Sequence, residues 1–271
     1  MRELLTRTVS GAVVVALIVA SILLSPLAYA VLMLFVVSIG TFELCRMSGV
    51  IGALEWLVSE LIAVAAYVTG AAFALGYAPA CVLWLLLPLS MMPFLLALFS
   101  KGITFADVAS SVYAALFYLA LPAVLMLLMY RGDVVGGFCA EPLLLVVYVM
   151  LWTNDTFAYL TGSLVGRHKL FPRISPGKTV EGCIGGLAFT VAAICVYSHF
   201  TPSLPMAKAV VMALIAVVTG TLGDLCESML KRQAGVKDSG RLIPGHGGIL
   251  DRFDSVMFAT IFIFTYLVLA K

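Results

Sequence analysis

The chain has 271 residues, 63% of them hydrophobic and 11% charged, with a formal net charge of +2. An ordinary soluble domain carries about 25% charged residues, so a water-exposed globular fold is excluded and lipid must solvate most of this surface. The near-neutral balance also argues against a nucleic-acid partner.

No charge occurs between Thr8 and Phe42. That run is too long for one crossing, since about 20 apolar residues span the hydrocarbon, and Ser25-Pro26 marks a turn between two. Arg2 and Arg7 ahead of the apolar run, with Ala28-Tyr29-Ala30 behind it, also fit a cleavable signal peptide; an uncleaved first helix is the favoured reading. Further crossings are expected over residues 56–77, 79–99, 108–130, 142–164, 183–200, 209–230 and 253–270. The expectation is therefore an all-α integral membrane protein of nine helices in a single polytopic unit. Residues 1–140 would form scaffold and a lipid groove, and residues 141–271 would carry the site. Six cysteines, at 45, 81, 139, 183, 195 and 226, show no C-x-x-C spacing and read as small apolar residues of helices.

Nine crossings place Arg2, Arg7, Arg46, Lys101, Arg167, Lys169, Arg173, Lys178, Lys231, Arg232, Lys237, Arg241 and Arg252 on one side. Only Arg131, Lys208 and Lys271 fall on the other. Positive residues stay cytoplasmic, so the N-terminus is expected inside and the C-terminus outside.

Five acids lie where lipid disfavours charge: Asp155 in the sixth crossing, Asp224 and Glu227 in the eighth, and Asp251 with Asp254 opening the ninth as a pair. A charge at bilayer depth costs about 2.5–3.5 kcal/mol on insertion scales and usually marks function. By helix direction all of them fall in the cytoplasmic half, beside the two most basic loops, residues 166–178 and 231–241. Asp224, Glu227, Ser228 and Lys231 share one helical face, as do Asp251 and Asp254. Carboxylates beneath a basic rim suit a hard divalent cation, which takes oxygen ligands and substrate phosphates together. Glycines around His246 would bring backbone N–H groups to a phosphate. Plainer readings stand beside these: Asp251 as a helix cap, Glu227 paired with Lys231, Asp155 paired with a loop cation, His246 as a loop hydrogen-bonding residue, and Glu43 with Arg46 as an interfacial pair.

Three motifs mislead. Pro176–Thr179 reads PGKT, but Pro172 stands where a P-loop needs glycine and no strand precedes it. Asn154-Asp155-Thr156 fits a glycosylation acceptor at membrane depth. The CDP-alcohol phosphotransferase pattern fails because Ser255 stands where its last acid is required, and no D-G-x-x-A-R precedes it.

The stretch SMLKRQAGVKDSGRLIPGHGGILDRFD, Ser228 to Asp254, resembles the signature of the phosphatidate cytidylyltransferases, also called CDP-diacylglycerol synthases. That signature is S-x-x-K-R-x-x-x-x-K-D-x-[small]-x-x-[apolar]-P-x-H-G-G-[apolar]-x-D-R-[apolar]-D. The segment NDTFAYLTGSLVGRHKLFPRISPGKTVEGCIGG, Asn154 to Gly186, is similar to the family's preceding segment, with Gly177 where a basic residue is common and Lys178 in register. The resemblance implies a polytopic, Mg²⁺-dependent enzyme, a homodimer of a cell inner membrane with its site facing the cytoplasm. It would join CTP to phosphatidate from the inner leaflet. By position, Asp224 and Asp251 are implied as metal ligands, Asp254 as a ligand or its support, and Asp155 with Lys178 at a second cation or phosphate position. Ser228, Lys231, Arg232, Lys237, Arg241, His246, Gly247 and Gly248 are expected around the nucleotide.

On that reading a phosphatidate oxygen attacks the α-phosphorus of CTP and pyrophosphate leaves, a reaction governed by positioning and charge stabilisation. Two rivals remain. An ion-coupled transporter would hold its acids at the midplane on broken helices. Another CTP-dependent lipid enzyme, a polyprenol kinase or an archaeal-type lipid cytidylyltransferase, would share the nucleotide but not the lipid.

Overall fold

A computed structural model describes residues 2–49, 52–99, 104–135, 143–245 and 247–270 of the chain. Eight of its helical rods are long and apolar enough to cross a membrane; a further apolar helix, Thr8–Leu24, is shorter. The contacts divide the chain into two compact units, Met1–Leu128 with Gln233–Phe253, and Met129–Arg232 with Asp254–Lys271.

The first unit opens with α1 (Arg2–Leu24) and α2 (Pro26–Met47). The break falls at the expected dipeptide. Ser25 is extended and its hydroxyl accepts from the Ala28 N–H at 3.0 Å, with Pro26 at the first helical position, where a missing N–H does no harm. Next come α3 (Ala53–Ala74) and a 3₁₀ turn (Ala80–Leu85) leading into α4 (Leu86–Phe99). The rod Phe105–Leu128 comprises α5 (Phe105–Ala114), a π-helical stretch (Ala115–Ala120) and α6 (Leu121–Leu128). Pro122 has no N–H to give the preceding turn, and the widened turn lies directly ahead of it. Polar groups inside this unit find partners between helices: the Tyr67 hydroxyl donates to the Ala30 carbonyl at 2.7 Å, and Tyr29 meets the Met126 sulfur at 3.0 Å. Gly40 faces Leu119 and Leu250, so α2 packs closely against the central rod and the start of the last helix.

The second unit contains α7 (Leu143–Val165), a two-stranded antiparallel hairpin of β1 (Lys169–Phe171) and β2 (Ser175–Thr179), α8 (Val180–Phe200), α9 (Met206–Gln233) and most of α10 (Leu250–Leu269). The hairpin departs from the all-α expectation, which treated residues 166–178 as a basic loop. It forms because Glu181, in the first turn of α8, accepts the backbone N–H of both Arg167 and His168 and meets His168 Nδ1 at 2.6 Å. That clamp folds the segment back on itself. Thr179 then caps α8, its hydroxyl accepting from Gly182 N–H at 3.1 Å.

Glycines set the helix spacing in this unit. A Cβ on Gly182 would stand 2.7 Å from the Ala158 carbonyl oxygen and 3.3 Å from Gly162 Cα, and one on Gly186 would stand 2.9 Å from the Asn154 carbonyl. The α7–α8 seam is therefore backbone against backbone, as small residues permit in lipid. Gly223 makes the same close approach between α9 and α10, against Phe258 and the Asp254 carbonyl, 2.8 Å from where its Cβ would be.

The Gly182→Val variant is expected to be destabilised by about 1–3 kcal/mol, the usual cost of overpacking. Thermal unfolding of the purified protein in detergent measures this. Gly177→Val, on a hairpin position with nothing within 4 Å, should melt close to the parent chain.

Candidate functional site

The close α9–α10 approach brings carboxylates together. Asp254 is half-buried, and the charges of Asp224, Asp155 and Lys231 all act on it. Asp224 projects from α9 and forms an ion pair with Lys178 of β2 at 2.6 Å, side chains 31% and 24% exposed. Ser228, one turn on, donates to the other Asp224 oxygen at 3.2 Å. Asn154 Nδ2 lies 3.5 Å from Asp155 Oδ1 on α7. The Asp254 carboxylate accepts its neighbour Ser255's N–H at 2.6 Å. Glu227 and Lys231 form the expected i,i+4 ion pair, with the Glu227 side chain fully buried. Asp155, Asp224, Lys231 and Asp254 thus act on one another within one unit, with Lys178 and Ser228 held on Asp224.

Four carboxylates here face two ammonium groups. That imbalance fits a divalent cation, and all the donors are hard oxygens. Among the described residues, however, no three His, Cys, Asp or Glu side chains stand ready to hold an ion. At Asp224 the Lys178 ammonium occupies one carboxylate oxygen.

Asp251 belongs to the first unit. Its Oδ2 accepts the N–H of Ser239 at 2.9 Å and the N–H of Gly248 at 2.8 Å, and the Ser239 hydroxyl oxygen lies 2.9 Å from it. The cap reading of Asp251 is thereby realised in part: the Asp251 side chain serves the backbone ahead of α10. The Gly248 N–H, expected to face a phosphate, is donated to Asp251 instead. Gly247 has φ +82°, and its Cβ position is filled by the Asp251 carboxylate, so only glycine fits. His246 lies outside the described residues.

Lys237 and Arg241 line a cavity of about 330 Å³ together with Arg46, Asp238 and Ser239. Arg232 is exposed at the end of α9. The expected Glu43–Arg46 pair does not form. Arg46 faces this cavity, whereas Glu43 is buried, only 4% exposed, and accepts three hydrogen bonds: from the Ser239 hydroxyl at 2.7 Å and from the N–H groups of Ile249 and Leu250 at 3.0 Å each. Two N–H groups at the start of α10 plus a hydroxyl satisfy the carboxylate better than an exposed arginine one turn away. Sequence reading missed Glu43 as a site residue; the available signal was its position as the first charge after the uncharged run Thr8–Phe42. It also passed over Glu60, another acid inside a span, which takes the Ser38 hydroxyl.

Comparison with known proteins identifies the family. Over 116 residues the chain is 50% identical to the phosphatidate cytidylyltransferase of Staphylococcus haemolyticus strain JCSC1435, covering 42% of this chain and 45% of that protein. It is 49% identical over the same length to the enzyme of that name from Staphylococcus saprophyticus, and 47% identical to that from Staphylococcus epidermidis, with the same coverage of each chain. The chain thus spans less than half the length of these curated relatives. A family model described as the cytidylyltransferase family matches residues 5–270. With nearly its whole length matched, the chain belongs to the cytidylyltransferase family.

Proposed function

We propose that the chain transfers the cytidylyl group of CTP to phosphatidate, giving CDP-diacylglycerol and pyrophosphate. The observation that carries this reading is the cluster in which Asp254 feels Asp224 and Asp155 while Lys178 holds Asp224. An alternative transporter would need its acids at the midplane of broken helices. Here α7, α9 and α10 are continuous, and a hairpin lysine enters the cluster.

The residues divide the work by charge. Phosphatidate is anionic near neutral pH, so its phosphate oxygen needs no protein nucleophile. Lys178, partly exposed and held at a hairpin end, is placed to exchange its contact with Asp224 for an incoming phosphate oxygen. Asp224, Asp254 and Asp155 are the oxygen ligands of the second unit that would hold Mg²⁺, and in the first unit the resemblance assigns Asp251 as a cation ligand. When bound, that ion would neutralise charge on the attacking and leaving oxygens. Lys237, Arg241 and Arg46 around their cavity offer guanidinium and ammonium donors to the triphosphate. The same reading carries the nine-crossing topology with both basic loops cytoplasmic, the inner membrane and the homodimer implied by the resemblance. CTP would then arrive from the cytosol and phosphatidate from the adjoining leaflet.

Purified protein incubated with labelled CTP, Mg²⁺ and phosphatidate is expected to form CDP-lipid and one pyrophosphate per turnover. A phosphorylated alcohol would point to a lipid kinase, and no product at all to a transporter. Chelation with EDTA should stop turnover, and added Mg²⁺ should restore it.

Asp224→Asn and Lys178→Met should each lower kcat by at least about 10²-fold, the scale seen when one charge-stabilising group is removed. Both variants should insert and melt like the parent. Parental turnover by Asp224→Asn at limiting Mg²⁺ would remove Asp224 from the cation site.

A further inference from the structure

We propose that Glu43 is a positioning residue that sets the carboxylate of Asp251 through Ser239 and the first turn of α10. Glu43 sits on α2, about two hundred residues away from its partners along the chain. One oxygen accepts the Ile249 N–H and the other accepts both the Leu250 N–H and the Ser239 hydroxyl. Asp251 is the next residue of that helix, and the same Ser239 hydroxyl lies 2.9 Å from its Oδ2. A hydroxyl has one hydrogen, so two carboxylate oxygens compete for a single donor. The Ser239 rotor therefore couples Glu43 to Asp251.

The surrounding backbone is shaped to admit this carboxylate. Cβ atoms on Gly240 or Gly248 would collide with Glu43 oxygens, and one on Gly248 would also strike the Ser239 hydroxyl. Glu43 and Ser239 are both buried, at 4% and 3% exposure. Nothing in the arrangement brings Glu43 to a substrate. Its effect must pass through Ser239 and through the two N–H groups it holds.

Glutamine at this position fits in volume but fails in bonding. Each Glu43 oxygen accepts an N–H, so either orientation of a glutamine amide turns its NH₂ toward a donor. The strain falls on Ile249 or Leu250, adjacent to Asp251. Ser239→Ala is gentler, deleting the shared hydroxyl while leaving the Ser239 N–H on Asp251 and the two backbone donors on Glu43.

The inference rests on the proposed function for its kinetic readout, and a second readout is independent of it. Mn²⁺ binding to the purified, substrate-free full chain is followed by electron paramagnetic resonance, beside steady-state kinetics varying Mg²⁺, CTP and phosphatidate separately. Glu43→Gln and Ser239→Ala are expected to weaken Mn²⁺ binding and raise the Mg²⁺ half-saturation about tenfold. KM for phosphatidate should stay unchanged, and the double variant should be no worse than Glu43→Gln alone. A residue that only stabilises the fold would lower the melting temperature and leave metal affinity as it was. Unchanged Mn²⁺ affinity in both variants overturns the proposal, as does a parent chain that binds no Mn²⁺. If Glu43→Gln does not fold, Ser239→Ala decides alone by the same criterion. If the parent makes no CDP-lipid while both variants still lose Mn²⁺, the assigned reaction is wrong and the positioning role stands.

Discussion

A carboxylate taken out of water must be met by donors or cations, and most of what is specific in this chain follows from that requirement. The apolar helices provide little to meet it. Asp224 is answered by Lys178 and Ser228, Glu227 by Lys231, Asp251 by Ser239 and Gly248, and Glu43 by Ser239 and the start of α10. The Lys178–Asp224 and Glu43 contacts fix long-range relations that the lipid-facing surfaces could not. Helices in lipid gain little from hydrophobic contact with one another, so packing and polar contacts set their positions.

Glycine makes these meetings possible. On α7 and α8, Gly162, Gly182 and Gly186 let two backbones touch, and this lies just beyond the turn that delivers Lys178. On α9, Gly223 admits the backbone of Asp254 beside Asp224. In the segment before α10, Gly240, Gly247 and Gly248 leave the volume that two carboxylates fill. The glycine-rich stretch is thus explained in part without a ligand: its missing side chains accommodate acids of the protein itself.

Much of this was legible in the sequence because the governing forces are local or one-dimensional. The break at Ser25-Pro26 follows from cap chemistry, and the spans follow from hydropathy. The meeting of Asp224, Asp155 and Asp254 follows from the cost of charge in lipid. The hairpin at residues 169–179 was not legible, since its strands are short and its fold depends on Glu181 reaching back across thirteen residues to His168. Glu43 was misassigned for a similar reason. Arg46, one turn away, is an obvious local partner, and no periodicity announces a donor set beyond residue 239. Long-range hydrogen bonds leave no spacing to read.

The two ion pairs of the site differ in a way that separates their roles. Lys231 and Glu227 lie on one helix, with the Glu227 side chain wholly buried and that of Lys231 11% exposed. Separating them would strand a buried charge, which costs several kcal/mol. Lys178 and Asp224 come from different elements and each keeps a quarter to a third of its side chain exposed. Partial solvation lowers the penalty for parting them, and screening weakens their attraction. On the proposed function, an arriving phosphate would take Lys178 while a cation takes Asp224. The exchangeable pair, rather than the buried one, has the physical character of a working site.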